Sequence, residues 1–315
     1  MSERLRGAVI ACVIALTSCT ASQNTVSQTS EGAPAEGTLQ VVTTFLPMTN
    51  FTLAVAGDRA QVSQLLPANV TPHDYQSKPQ DVQRLAEADV LVENGLELET
   101  FLEDLTDNAD NADLTVIDAS KGIETLALAV EREDVEHEHG EADPHVWLDP
   151  KKAIQQVENI RDGLIAADPE GEGAYTENAA AYITQLQTLD QRMSQVLAPY
   201  AGKTFVTYHD FAHYFAQSYD LEVAHLVSVP EDNAAPADVK RVIEAAQSSN
   251  LKTLLSEPQQ QGNPFAALAD DLGVQVSIFD PLETSGPEGR SPNYYLTTME
   301  QNLDSLQAAF AQASP

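Results

Sequence analysis

Cationic side chains are scarce in this chain. Lys and Arg number 16 against 48 Asp and Glu, a formal net charge of −32. Nucleic acid and anionic membrane surfaces need clustered positive charge, so they are poor partners, whereas a negative field draws cations. An acidic excess also serves solubility or a salty exterior, so charge alone does not define a function. No glycine-rich phosphate loop and no Gly-x-Ser-x-Gly elbow is present, which removes the usual signals for nucleotide hydrolysis and serine acyl transfer. Cysteine occurs only twice, at Cys12 and Cys19, and tryptophan once, at Trp147.

Long apolar runs are also lacking. Gly7 to Leu16 is apolar but too short to span a bilayer stably, and Arg4 and Arg6 precede it. This is the layout of an export signal. Leu16-Thr17-Ser18-Cys19 follows and resembles a lipoprotein signal, with residues 1–18 removed and Cys19 acylated as the first mature residue. Cys12 lies in the removed part, so the mature chain has a single cysteine and no internal disulfide. Lipidation is the simplest use for Cys19. Residues 19–38 are rich in Ser, Thr, Gln, Gly and Pro; that composition cannot offset the entropy of ordering and reads as a flexible tether. About 275 residues remain, enough for two domains with their own cores.

Strand and helix signals alternate through that remainder. Leu39–Phe45, Val62–Leu66, Val90–Val92 and Leu114–Ile117 read as strands, with helices over Met48–Ala56, Gln80–Ala88 and Leu98–Asn108. The pattern resumes with strands at Thr204–Thr207, Val223–Val229, Leu251–Leu255 and Gln275–Phe279 and helices near 210–218, 236–249, 263–272 and 293–311. Short apolar strands separated by helices predict an α/β fold with two four-stranded parallel sheets, each flanked by helices. Between the halves, Ala174–Ala198 has no Gly or Pro and carries apolar residues at 175, 179, 182, 183, 186, 189, 193, 196 and 197. Such a stripe predicts one amphipathic helix, roughly 37 Å long, joining two lobes. The expected organisation is a first lobe over 39–172, a linking helix over 173–199 and a second lobe over 200–315. A continuous helix is stiff and predicts small lobe movements.

Histidine supplies the chemistry. Of seven, His73, His145 and His209 fall in loops near expected element ends, and Asp280 ends the strand before Pro281. Ligands in doubly wound sheets gather beyond the carboxyl ends of strands, so two facing edges would bring these four groups together. A single histidine is more often a core or surface residue than a ligand; the shared placement reverses that expectation. The wide spacing is unlike a zinc finger, whose metal folds a short chain. Three imidazoles and a carboxylate suit Zn2+, and more carboxylate would suit manganese. Asp74, Asp210 and Asp149 stand beside these residues and could accept the second imidazole N–H, although Asp149 before Pro150 better fits a helix N-cap. Glu257 is a reserve carboxylate for Asp280. His213, four residues after His209, reads as a helix-surface or packing residue, and His225 as a hydrogen-bonded core residue. An acidic tract with His137 and His139 precedes His145 and is a possible accessory metal loop.

Four segments carry a family likeness: Pro72-His73-Asp74-Tyr75, Asp143-Pro144-His145-Val146-Trp147-Leu148-Asp149-Pro150, Tyr208-His209-Asp210-Phe211 and Phe279-Asp280-Pro281-Leu282. They resemble the metal-binding solute-binding proteins of bacterial ABC importers, the ZnuA/TroA-like cluster. The resemblance covers about 39–312. It implies one metal site between two lobes, ligands His73, His145, His209 and Asp280, and Zn2+ as transported ligand, since manganese members have Glu where His209 stands. It also implies a monomeric extracytoplasmic receptor, anchored to the bilayer through Cys19 and serving an ABC permease, that is not an enzyme. Three alternatives remain open: a manganese or iron receptor of the same class, a zinc-dependent hydrolase, and a surface adhesin in which metal only stabilises the fold.

Overall fold

The computed structural model describes residues 38–127, 142–227, 234–259 and 265–312. The expected signal, Cys19, nearly all of the tether, and His137 and His139 lie outside the described residues. The first half contains β1 (Leu39–Thr43), α1 (Leu46–Ala56), β2 (Ala60–Gln64), α2 (Pro79–Ala86), β3 (Val90–Glu93), α3 (Leu102–Ala109), β4 (Thr115–Asp118) and α4 (Pro150–Ala167). Then comes α5 (Glu172–Leu197). The second half contains β5 (Thr204–Thr207), α6 (His213–Ser218), β6 (Glu222–His225), α7 (Pro236–Ser248), β7 (Thr253–Ser256), α8 (Ala266–Leu272), β8 (Gln275–Ile278) and α9 (Tyr294–Gln312).

Two four-stranded parallel sheets result, ordered β2-β1-β3-β4 and β6-β5-β7-β8. Their common order places the change of winding direction between β1 and β3 in one sheet and between β5 and β7 in the other. That is where an open α/β sheet leaves a crevice beyond its strand ends. Interior strands are apolar because helices cover both faces: Val90, Leu91 and Val92 of β3 are fully buried.

Most expected elements form, with shifts at their ends. Proline near the first position starts α1 at Leu46, two residues before Met48. The helix expected from Leu98 begins only at Leu102. Gly95, Leu96 and Glu97 all have positive φ, and the Glu99 carboxylate accepts from the backbone N–H groups of Asn94 and Gly95. That turn occupies the residues a first helical turn would need. Asp149 is the N-cap of α4, accepting from Lys151 N at 3.0 Å.

The long helix forms as the apolar stripe requires. Its 26 residues bury Tyr175, Ala179, Tyr182, Leu186, Leu189, Met193 and Leu197, and 1.5 Å per residue gives about 39 Å. It begins at Glu172, one residue before the expected 173, and Gly173 is its second residue. This helix packs on α1 and α4, and α9 packs on both α5 and α1. The last helix of the chain therefore returns to the first half. Full burial contributes about 1.5–3 kcal/mol for each large apolar side chain. Leu186→Ala is expected to destabilise the protein by about 2–5 kcal/mol in denaturant unfolding. Gln187→Ala, on the exposed face, should stay within about 0.5 kcal/mol; equal effects would contradict the packing described.

Candidate metal centre

Each donor is delivered by a different local device. His73 sits in a single 3-10 turn, Pro72–Asp74, in the loop after β2. His145 precedes the buried turn Val146–Leu148 that leads into α4. His209 follows β5 directly, and Glu283 lies five residues beyond β8. The four side chains converge. One ligand atom from each of His73, His145, His209 and Glu283 lies within 4.8 Å of the others. Glu283 Oε1 is 3.3 Å from His209 Nε2, 3.4 Å from His73 Nε2 and 3.7 Å from His145 Nε2. The three imidazole centroids are 5.4 to 5.9 Å apart.

These distances are informative. A tetrahedron with bonds of about 2.0–2.1 Å to nitrogen and oxygen has edges of about 3.3–3.4 Å. His145 Nε2, His209 Nε2 and Glu283 Oε1 are buried and form no hydrogen bond. Buried polar atoms left in that condition are costly, unless a cation completes them. Donor type, count and spacing all fit Zn2+.

The comparisons agree with that chemistry. The family model for ZnuA, described as zinc-uptake complex component A, periplasmic, matches residues 41–309. The chain belongs to the ZnuA family. It is 30% identical over 310 residues to the high-affinity zinc uptake system protein ZnuA of Bacillus subtilis, covering 95% of each. It is 33% identical over 289 residues to the zinc-binding lipoprotein AdcA of Streptococcus pneumoniae, covering 89% of this chain and 58% of that one. The chain thus spans less than two thirds of the AdcA length. A manganese-binding lipoprotein MntA, from Halalkalibacterium halodurans, is 29% identical over 297 residues and is covered to 94%. Among solved structures, the Zn(II)-bound ZnuA-like domain of Streptococcus pneumoniae AdcA superposes with a TM-score of 0.73 at 33% identity, covering 87% of this chain and 99% of that one.

Within this ZnuA-family fold, a set of carboxylates holds the imidazoles. His145 Nδ1–H donates to Asp143 Oδ1 at 2.8 Å, and the His145 backbone N–H donates to the same oxygen. His209 Nδ1–H donates to Glu257 Oε1 at 2.6 Å, and its backbone N–H also reaches that atom, at 3.0 Å. With Nδ1 protonated, each ring turns the Nε2 lone pair inward. Asp143 and Glu257 are buried. Burial opposes charge on Asp143, but His145 and His213 beside it hold its carboxyl well below the usual range. Burial likewise opposes ionisation of Glu283, yet His209 and His73 hold it low. Burial also disfavours protonated His209, but Glu257 and Glu283 raise its pKa well above the ordinary value. Asp280 goes the other way: burial, with Glu283 and Glu257 adding, pushes it up to about 7.

Four expectations need correction. Asp280 is not in the cluster and Glu283 stands there instead; Asp280 Oδ1 accepts from Leu282 N at 2.7 Å. Glu257 is not a reserve ligand but the hydrogen-bond acceptor for His209. The imidazole partners are Asp143 and Glu257 rather than Asp210, while the expected cap role of Asp149 holds. Asp149 caps α4 and accepts from Ser218 Oγ at 2.6 Å, and Asp210 lies near His213. The Asp74 side chain lies outside what is described. His213 is more than a surface or packing residue: its Nδ1 lies 3.2 Å from Asp143 Oδ2. His225 ends β6, buried, with its ring 5.7 Å from that of His213. No sequence signal separates Glu283 from Asp280, because both are carboxylates just beyond the same strand. Removing an outer partner typically costs 10- to 100-fold in metal affinity. Glu257→Ala and Asp143→Ala should each weaken Zn2+ binding by about that factor in competition titrations; unchanged affinity would show that the carboxylates do not support the imidazoles.

Proposed function

We propose that this ZnuA-family protein captures Zn2+ outside the cytoplasm and hands it to an ABC-type permease. The observation that carries the reading is the convergent donor set: three imidazole nitrogens grouped about one carboxylate oxygen at 3.3 to 3.7 Å. His73, His145, His209 and Glu283 are the proposed ligands. Three nitrogens and one oxygen favour zinc over the harder manganese ion. A manganese receptor is the second reading, favoured by the likeness to MntA. A hydrolase would need an open coordination position for water, whereas four protein donors fill a tetrahedral shell. Binding therefore proceeds without a bond being made or broken in the cargo. The flanking lobes, residues 39–172 and 200–315, would supply the two sides of the site, and release would require their contacts at the cleft to be distorted. Names of relatives as lipoproteins support anchoring through Cys19. Metabolic labelling with a radioactive fatty acid should mark the wild-type protein and not Cys19→Ser; equal labelling would refute the anchor.

The decisive test is calorimetric titration of metal-free protein. Zn2+ should bind at one site, at least about tenfold more tightly than Mn2+, as nitrogen-rich donor sets dictate. His73→Ala should lose more affinity than the roughly 10- to 100-fold expected for an outer partner. The sign of the pH dependence follows from His209. Glu257 and Glu283 raise its pKa, so protons compete with zinc for the ring. Affinity should fall steadily from pH 8 to pH 6, with proton release on binding. A stronger response to Mn2+, or a flat pH profile, would contradict the proposed ligand set.

A further inference from the structure

The geometry points to Asp280 as a positioning residue that aims Glu283 into the cleft by holding a buried left-handed turn at Leu282. This rests on the zinc reading above and deepens it. Leu282 is one of six non-glycine residues with positive φ among those described, at φ 64, and it is fully buried. A bulky residue does not adopt that conformation unless its surroundings over-determine it. The restraints are visible on every side. Asp280 Oδ1 accepts from Leu282 N at 2.7 Å, closing an Asx turn. Asp280 itself is pinned through its backbone, because Asn302 of α9 accepts from its N–H and donates to its carbonyl, both at 2.8 Å. The intervening Pro281 offers no N–H, and its carbonyl accepts from the indole Nε1 of Trp147 at 2.8 Å.

Beyond the turn the chain is fixed again. The Ser285 backbone N–H donates to Ala68 O at 2.7 Å, in the loop that leads to His73. Before the turn, Phe279 is packed among Phe205, Phe211 and Phe215 of the second half. Residues 279 and 285 are therefore anchored in different halves, and the Leu282 turn decides where Glu283 points between them. Without an acceptor at the Asp280 position, the Leu282 N–H is left unpaired in a buried place and the residue relaxes toward negative φ. Glu283 then turns away from the three imidazoles. What the turn needs from residue 280 is an oxygen at the right reach, not a charge.

Ligand and positioning roles make opposite demands on that side chain, which gives the test. A metal ligand tolerates Glu, which keeps the carboxylate, better than Asn. An Asx turn tolerates Asn, which keeps Oδ1 in place, better than Glu, whose oxygen is one methylene too far. Zn2+ affinity by chelator competition and the visible d–d absorption of the Co2+-loaded protein would be measured for Asp280→Asn, Asp280→Glu and His209→Ala. Asp280→Asn should stay within about threefold of wild type and keep the intense tetrahedral Co2+ spectrum, whereas Asp280→Glu should weaken zinc by about 10- to 100-fold and lose intensity. Thermal midpoints of the metal-free variants would show whether the fold itself has changed. The positioning role is overturned if Asp280→Glu binds as well as or better than Asp280→Asn, or if Asp280→Glu leaves affinity and spectrum unchanged. His209→Ala separates the two levels: if it too leaves binding intact, the metal site itself is misassigned.

Discussion

Placing the Glu283 carboxylate out of water, between three imidazoles, constrains everything around it. An isolated buried charge is costly, and the cost falls only when neighbours stabilise it. Here two rings are tied at Nδ1 to further buried carboxylates, Asp143 and Glu257, so their lone pairs face inward. Without metal, Glu257 and Glu283 favour the protonated form of His209, which offsets part of the cost. A divalent cation answers it more completely, because it satisfies all four donors at once. That difference is the physical basis for competition between metal and proton.

Such a cluster needs rigid supports, and the doubled sheet supplies them. His209 and Glu257 follow β5 and β7, the two strands at the change of winding direction, so their hydrogen bond is set by strand pairing and not by a mobile loop. The halves are also knitted together beside the site. Trp147 joins the His145 turn to Pro281, and Tyr295 donates from α9 to the Trp147 carbonyl at 2.7 Å. Tyr214 of α6 donates to the Asp143 carbonyl at 2.8 Å. The single tryptophan is thus a hub between the residues that carry His145 and Glu283. Opening the cleft must break some of these bonds.

Much of this was legible from sequence alone. Apolar runs of four or five residues gave the strands, and the uninterrupted stripe gave α5, because both depend on patterns a few residues long. The three histidines of the cluster were recognisable by their position near element ends. Glu283 was not, since Asp280 offers the same chemistry three residues earlier and only turn geometry removes it from contention. Glu257 lies 48 residues from His209, and the adjacency of β5 and β7 that pairs them is a tertiary fact. Asp143 lay within the most distinctive segment and is nearer to His145 than Asp149 is, yet proximity alone does not mark which carboxylate faces the ring. Local pattern reveals elements; which of several carboxylates faces a given ring depends on how strand ends align.

X-ray absorption at the zinc edge of the loaded protein tests the proposed coordination most directly. The first shell should contain three imidazole nitrogens and one oxygen at about 2.0–2.1 Å, without sulfur. A six-coordinate, oxygen-rich shell, or fewer than three imidazoles, would contradict a cation held by His73, His145, His209 and Glu283.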